Sequence, residues 1–199
     1  MSEMISIITP MYNAEEFILD MIKSVQAQTY QNWEMIVVDD CSQDGGPNII
    51  KKISKTDERI KLISQEQHSG PSHVRNVAIE LAKGRYLAFL DSDDLWHEQK
   101  LNKQLNFMKK NHYAFTYTGF DKINGEKLSG NIFYEANKLD FRNLLLQTKN
   151  GRYSGFGFLP LDLNLIIEIK LSPFFSLYWL TILKVLIIFP PKKFKRSIV

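Results

Sequence analysis

Apolar and polar positions fall into alternating blocks through the first half of the chain. Residues 4–10, "MISIITP", form an isoleucine-rich run with no polar alternation, which predicts a strand buried on both faces. Next, "AEEFILDMIKSVQAQ" places Phe17, Met21, Ile22 and Val25 on one side of a helix. Asn13 precedes it and Glu16 lies three residues on, the spacing of a capping pair. "EMIVVDD" reads as a second buried strand, "CSQDGGP" as a turn, "NIIKKISK" as a short helix and "RIKLIS" as a third strand. Pro71 opens a helix with Val74, Val77, Ala78 and Leu81 inward and Gly84 as its stop. "RYLAFLD" is a fourth strand, and a helix around "EQKLNKQLNFMKK" follows.

Strand and helix in strict alternation, with strands lacking a polar face, imply right-handed crossovers and a mostly parallel sheet flanked by helices. The expected class is therefore α/β and Rossmann-like. After residue 112 the texture changes. "YAFTYTGF" alternates, "KINGEKL" carries an Asn-Gly turn that predicts a hairpin, and "LDFRNLLLQ" predicts a short helix. "GRYSGFGFLPLDLNLIIEIKL" has no clear period. Residues 173–189 are apolar apart from Lys184 and a few hydroxyls, and the basic "KKFKR" follows. The expected organisation is residues 1–120 as one functional half, 121–150 as the start of a second, and 151–199 as an apolar helical tail ending in a basic segment.

Composition narrows the partners. The chain has 199 residues, 44% hydrophobic and 24% charged, enough for one sizeable domain. A net charge of +3 is too small to indicate nucleic acid. The single cysteine, Cys41, excludes an internal disulfide framework and a cysteine-only metal site. "MSEMISIITP" carries Glu3 and has no basic leader, so no secretory signal is expected and the N-terminal half is expected in the cytosol.

The polar residues that interrupt the strands fall at their carboxyl ends, where open parallel sheets bind ligands. Thr9, Pro10, Tyr12 and Asn13 follow the first strand, Asp39 and Asp40 the second, and Asp91, Ser92, Asp93 and Asp94 the fourth. Carboxylates at that density suit a hard divalent cation, Mg²⁺ or Mn²⁺, whose shell is completed by water and substrate phosphate. Each group also has a plainer reading. Asp93 or Asp94 can cap the next helix, Asp39 and Asp40 can serve a turn, Tyr12 can pack on the core, and Arg75 can lie on a solvated face.

"ISIITPMYNAEEFILDMIKSVQAQTYQNWEMIVVDDCSQDG" with "GPSHVRNVAIELAKGRYLAFLDSDDLW" resembles the family 2 inverting glycosyltransferases of GT-A fold, of the bacterial polysaccharide and lipopolysaccharide type, over residues 3–120. The resemblance implies a nucleotide-sugar donor, UDP-linked in most members, a glycan or lipid-linked acceptor and a divalent metal. It implies that Pro10 and Tyr12 line the base pocket with Thr9 nearby, and that Asp39 accepts from the base N–H. Arg75 is expected near the donor phosphates, Asp91 near the ribose or donor sugar, and Asp93 on the metal.

Inversion requires a base to deprotonate the acceptor hydroxyl. The resemblance implies that this base is an acidic residue of the second half, commonly within an acidic pair ahead of a helix; no such pair follows residue 94, and the isolated Asp162 and Glu168 stand as candidates. The abrupt change of texture near Asn150 also keeps a second reading open: a truncated or frameshifted remnant that binds nucleotide sugar but lacks the base. Residues 173–189 span roughly 25 Å as a helix, slightly short of a bilayer core. Residues 173–196 are expected on the inner face of the cytoplasmic membrane, apolar helix in plane and basic tail on anionic headgroups, with a span or a buried helix as alternatives.

Overall fold

The computed structural model describes residues 3–111, Thr116, Thr118 and the short segments 123–124, 127–128 and 158–160. Four parallel strands, β1 (Ile5–Met11), β2 (Trp33–Asp39), β3 (Ile60–Ser64) and β4 (Tyr86–Phe89), alternate with α1 (Glu15–Gln26), α2 (Gly46–Ile53) and α3 (Pro71–Leu81), and α4 (Lys100–Asn111) follows. Two short strands, β5 (Ile123–Asn124) and β6 (Lys127–Leu128), pair antiparallel, in keeping with the expected hairpin. A last strand, β7 (Phe158–Pro160), joins the main sheet antiparallel to β4. The sheet order is β3-β2-β1-β4-β7. The β7 segment lies in the stretch that carries no readable period, because three residues on a sheet edge are too few to print one.

The strand order reverses at β1. Right-handed crossovers therefore put α1 and α2 on one face and α3 on the other. Alternate strand residues divide accordingly. Ile5, Ile7 and Met11 join the cluster of Ile18, Met21, Ile22 and Val25 from α1, Ile50 from α2, and Leu101, Leu105 and Met108 from α4. Ile8, Ile36, Val38, Leu87 and Phe89 pack beneath Val74, Ala78 and Ile79 of α3.

Several sequence expectations shift by a residue. In α1 the inward residue is Ile18, while Phe17 is exposed. The α1 N-cap is Ala14 and makes no side-chain cap bond. Asn13 instead accepts from the Gln43 amide, at a left-handed φ of 47°. In α3 Leu81 is exposed and Ile79 buried. The helix ends at Leu81 with Ala82 extended, so Gly84 is not its stop. Gly84 is required for a close approach: a Cβ there would sit 2.6 Å from the Ser6 amide nitrogen and 2.8 Å from the Met4 carbonyl oxygen.

The amino ends of the strands hold a buried polar knot. Glu34 accepts from the Ser6 hydroxyl, the Lys83 amide and Lys61 Nζ, each at 2.7 Å. Burial alone raises its carboxyl, but the bonds from Lys61 and Ser6 outweigh burial and hold it below the ordinary range. Among the described residues no helix is long and apolar enough to cross a membrane. The expected helices at 139–147 and 173–189 lie outside the described residues.

Candidate active site

The sheet reverses direction between β1 and β4, and a crevice at such a switch point opens at the carboxyl ends of the strands. The ends of β1, β2 and β4 are tied side by side there. Met11 stands in register with Asp39, the Asp40 amide donates to the Met11 carbonyl at 2.8 Å, and the Leu90 amide donates to the Ile8 carbonyl at 3.1 Å. Chain continuity then sets Tyr12, Asp39–Asp40 and Asp91–Asp94 along one edge.

The first wall is the pair of loops after β1 and β2. They are latched by bonds from the Asn13 amide to Ser42 Oγ, from the Glu15 amide to Asp44 Oδ2 and from the Gly45 amide to Glu15 Oε2. Asn13 and Cys41, facing loops of the same latch, are the two non-glycine residues with left-handed φ among those described, a conformation that the surrounding structure must enforce. Cys41 Sγ donates to the Gln65 carbonyl, and burial followed by the charges of Asp40 and Asp39 pushes its thiol up, so it fills the turn as a protonated side chain.

Asp39 and Asp40 do different things. Asp39 is buried and takes the Ser42 amide on Oδ1, leaving Oδ2 without a partner among the described residues. Asp40 is more fully committed. Its side chain accepts from the Ser69 amide at 2.7 Å and the Gly70 amide at 2.8 Å, and His68 Nδ1, hydrogen-bonded to the Asp40 carbonyl at 3.1 Å, lies 3.0 Å from Oδ2. This carboxylate fixes the loop that enters α3, and sequence reasoning gave it no separate role. Its signal was present as the second of two adjacent Asp residues at a strand end. Only the fold reveals that it points to the 68–70 loop.

Tyr12 is half exposed, and its ring lies 4.6 Å from that of His68 at an angle of 44°. Thr9 is fully buried, and its hydroxyl has no partner among the described residues. Pro10 is partly buried beside it. Arg75 does not lie on a solvated face. It is buried in α3, and its Nη2 pairs at 2.5 Å with Asp91 Oδ1 of the turn that follows β4.

The acidic turn after β4 is asymmetric. Asp91 is held by Arg75, and the Asp94 amide closes on the Asp91 carbonyl at 3.2 Å. Asp94 is raised to about 7, first by burial and then by the charges of Asp91 and Asp93. The Lys100 ammonium, lowered to about 7 by burial, lies at the foot of the turn and donates to Thr118 Oγ1 at 2.9 Å. Asp93 is exposed and, among the described residues, has neither a hydrogen bond nor an ion pair. Because α4 begins only at Lys100, neither Asp93 nor Asp94 is its cap. Among the described residues no three His, Cys, Asp or Glu side chains gather closely enough to enclose a metal ion. One free carboxylate in a strongly negative turn still fits a magnesium-type cation, which keeps water and substrate phosphate in most of its shell. Asp162 and Glu168, the candidate bases, lie outside the described residues.

A mostly parallel α/β sheet with polar residues gathered at its switch point has its candidate ligand site at that edge, and comparison with known proteins places the chain in a family. The profile of the family "Glycosyl transferase family 2" matches residues 6–163, and the chain belongs to that family of transferases. It is 50% identical over 117 residues to the putative teichuronic acid biosynthesis glycosyltransferase TuaG of Bacillus subtilis, covering 59% of this chain and 46% of that protein. It is 42% identical over 142 residues to the UDP-Glc:alpha-D-GlcNAc-diphosphoundecaprenol beta-1,3-glucosyltransferase WfgD of Escherichia coli, covering 71% and 55%. The crystal structure of S. aureus TarS 1-349 in complex with UDP-GlcNAc superposes with a TM-score of 0.64 at 26% identity, over 78% of this chain and 45% of that one. The chain thus spans about half the length of the curated relatives it matches. The family match crosses residue 150, where the texture changes, and runs beyond the resemblance legible at residues 3–120. That extent does not favour the remnant reading.

Proposed function

We propose that this chain carries the donor-binding half of an inverting, metal-dependent transferase that moves a sugar from a UDP-linked donor to a glycan or lipid-linked acceptor in polysaccharide or lipopolysaccharide assembly. The observation that carries the reading is the gathering of Tyr12, Asp39, the Arg75–Asp91 pair and the free Asp93 along one edge of the sheet. The names of two similar proteins support the donor and acceptor classes: TarS was solved with UDP-GlcNAc, and WfgD is named for transfer to a lipid-linked sugar.

In this reading Tyr12 stacks on the base, with Pro10 and Thr9 shaping the wall behind it. Asp39 receives the ring N–H on its unengaged oxygen; a carboxylate, being acceptor-only, suits that N–H better than an amide. Arg75 is spent on Asp91 and acts on the donor by holding that carboxylate toward the ribose or sugar. Asp93 would hold a divalent cation, Mn²⁺ or Mg²⁺, which would supply positive charge against the donor diphosphate. The acceptor hydroxyl loses its proton to an acidic residue of the second half, Asp162 or Glu168. Residues 1–120 bind donor and 121–150 begin the acceptor side, while 151–199, which add β7 to the sheet, run on into the apolar tail. The site faces the cytosol, and residues 173–196 hold the enzyme on the inner face of the membrane.

Titration calorimetry of the full chain with UDP and Mn²⁺ tests the reading. Binding should depend on the metal and weaken at least tenfold in Asp93→Ala, with the circular dichroism spectrum unchanged. Metal-independent binding, or an Asp93→Ala variant that binds as wild type, would remove the metal assignment. A hydrolysis screen across nucleotide sugars then identifies the donor.

A further inference from the structure

The reading above uses Tyr12 as a stacking surface but leaves unexplained what holds a half-exposed ring in place. Four of its neighbours bear on this. Met11 is anchored in β1, and Asn13 is latched to Ser42 and Gln43, so the backbone on both sides of Tyr12 is fixed. The ring itself meets His68, centroid to centroid at 4.6 Å. His68 belongs to a different loop and is exposed, so burial does not account for its position. Asp40 accounts for it. His68 Nδ1 faces both the Asp40 carbonyl oxygen at 3.1 Å and Asp40 Oδ2 at 3.0 Å. Both partners only accept, so Nδ1 carries the proton. The same carboxylate holds the amides of the next two residues, Ser69 and Gly70.

The geometry points to His68 as the positioning residue of the base site: Asp40 fixes the imidazole, and the imidazole braces the Tyr12 ring on which the donor's base stacks. The inference rests on the proposed role of Tyr12. A tilted aromatic pair of this spacing is favourable beyond the area it buries. A ring held in one rotamer before the ligand arrives loses less freedom on binding. The brace therefore acts on affinity for the nucleobase and leaves the phosphate end of the site alone.

The test measures binding of UDP and of inorganic pyrophosphate, both with Mn²⁺, to the full chain by calorimetry. His68→Ala should weaken UDP about three- to tenfold, the factor an aromatic pair supplies, and leave pyrophosphate unchanged. His68→Phe, which keeps a ring, should recover part of the loss. His68→Asn, which keeps a donor for Asp40 but no ring, should not. Tyr12→Ala serves as the reference. If it weakens UDP while His68→Ala binds as wild type, the brace is overturned and the base site stands. If His68→Ala weakens UDP and pyrophosphate equally, His68 acts on the loop as a whole and the brace is overturned. If Tyr12→Ala itself leaves UDP unchanged, the base assignment fails, and the brace with it.

Discussion

At the scale of single residues, two adjacent carboxylates show how position divides labour. Asp39 and Asp40 are both buried at the end of β2, yet one makes a single side-chain hydrogen bond and the other ties down three groups of a distant loop. Hydrogen bonds to a buried charge are worth more than neutral ones, and donors stripped of their acceptor keep the desolvation penalty. Asp40→Ala should therefore cost about 3 kcal/mol in urea unfolding. Asp39→Ala should cost about 1 kcal/mol yet weaken UDP binding more than its stability loss explains. A larger stability loss at Asp39 than at Asp40 would reverse this assignment. Arg75 was legible as a site candidate, but its contact with Asp91 was not. A helical pattern counts arginine as outward, and here a carboxylate from the turn after β4 draws it into the interior.

At the scale of elements, close approaches and end contacts decide stability. Gly84 lies against the backbone of β1, where any side chain must displace Ser6 or Met4. Gly84→Ala should destabilise by about 2 kcal/mol, read as a lower urea midpoint at constant slope. The junction of α1, β2 and β3 is set by Asp57, which pairs with Arg59 at 2.8 Å and accepts from Gln26 at 3.0 Å. Arg59 also lies over the Trp33 ring at 3.8 Å. The Arg59 bonds pull the Asp57 carboxyl from 3.8 to about 2. A lowered folded value gives stability that is present above about pH 4 and is lost as pH falls toward 2. Acid unfolding followed by circular dichroism should show that loss, and Asp57→Asn should flatten the dependence between pH 4 and 2. The element pattern was readable because strands buried on both faces print unbroken apolar runs. The inward faces of α3 and α4 were less so, since they carry Arg75, Lys100 and Gln104, polar residues buried by partners elsewhere in the chain.

At the scale of the whole molecule, the proposed reading requires the chain to meet a soluble donor and an acceptor at the membrane. If residues 173–196 lie on the lipid surface, the full chain should pellet with vesicles containing phosphatidylglycerol at low salt. Raising salt to 0.5 M should release most of it, because screening shortens the reach of the basic segment to a few ångström. Retention at high salt and alkaline pH would mean an inserted segment. Neutral vesicles should bind it weakly in either buffer.

The sequence alone determined the alternation of strands and helices, the parallel sheet and the strand-end location of the polar residues, because burial on two faces and crossover connections are properties of local pattern. Tertiary structure decided which of those residues touch. That Asp40 commands the 68–70 loop, that Arg75 turns inward to Asp91, that His68 meets Tyr12 and that Gly84 admits no side chain depend on contacts between residues 16 to 80 positions apart. Such contacts leave no period in the chain, since their energy comes from partners that only the completed sheet brings within reach.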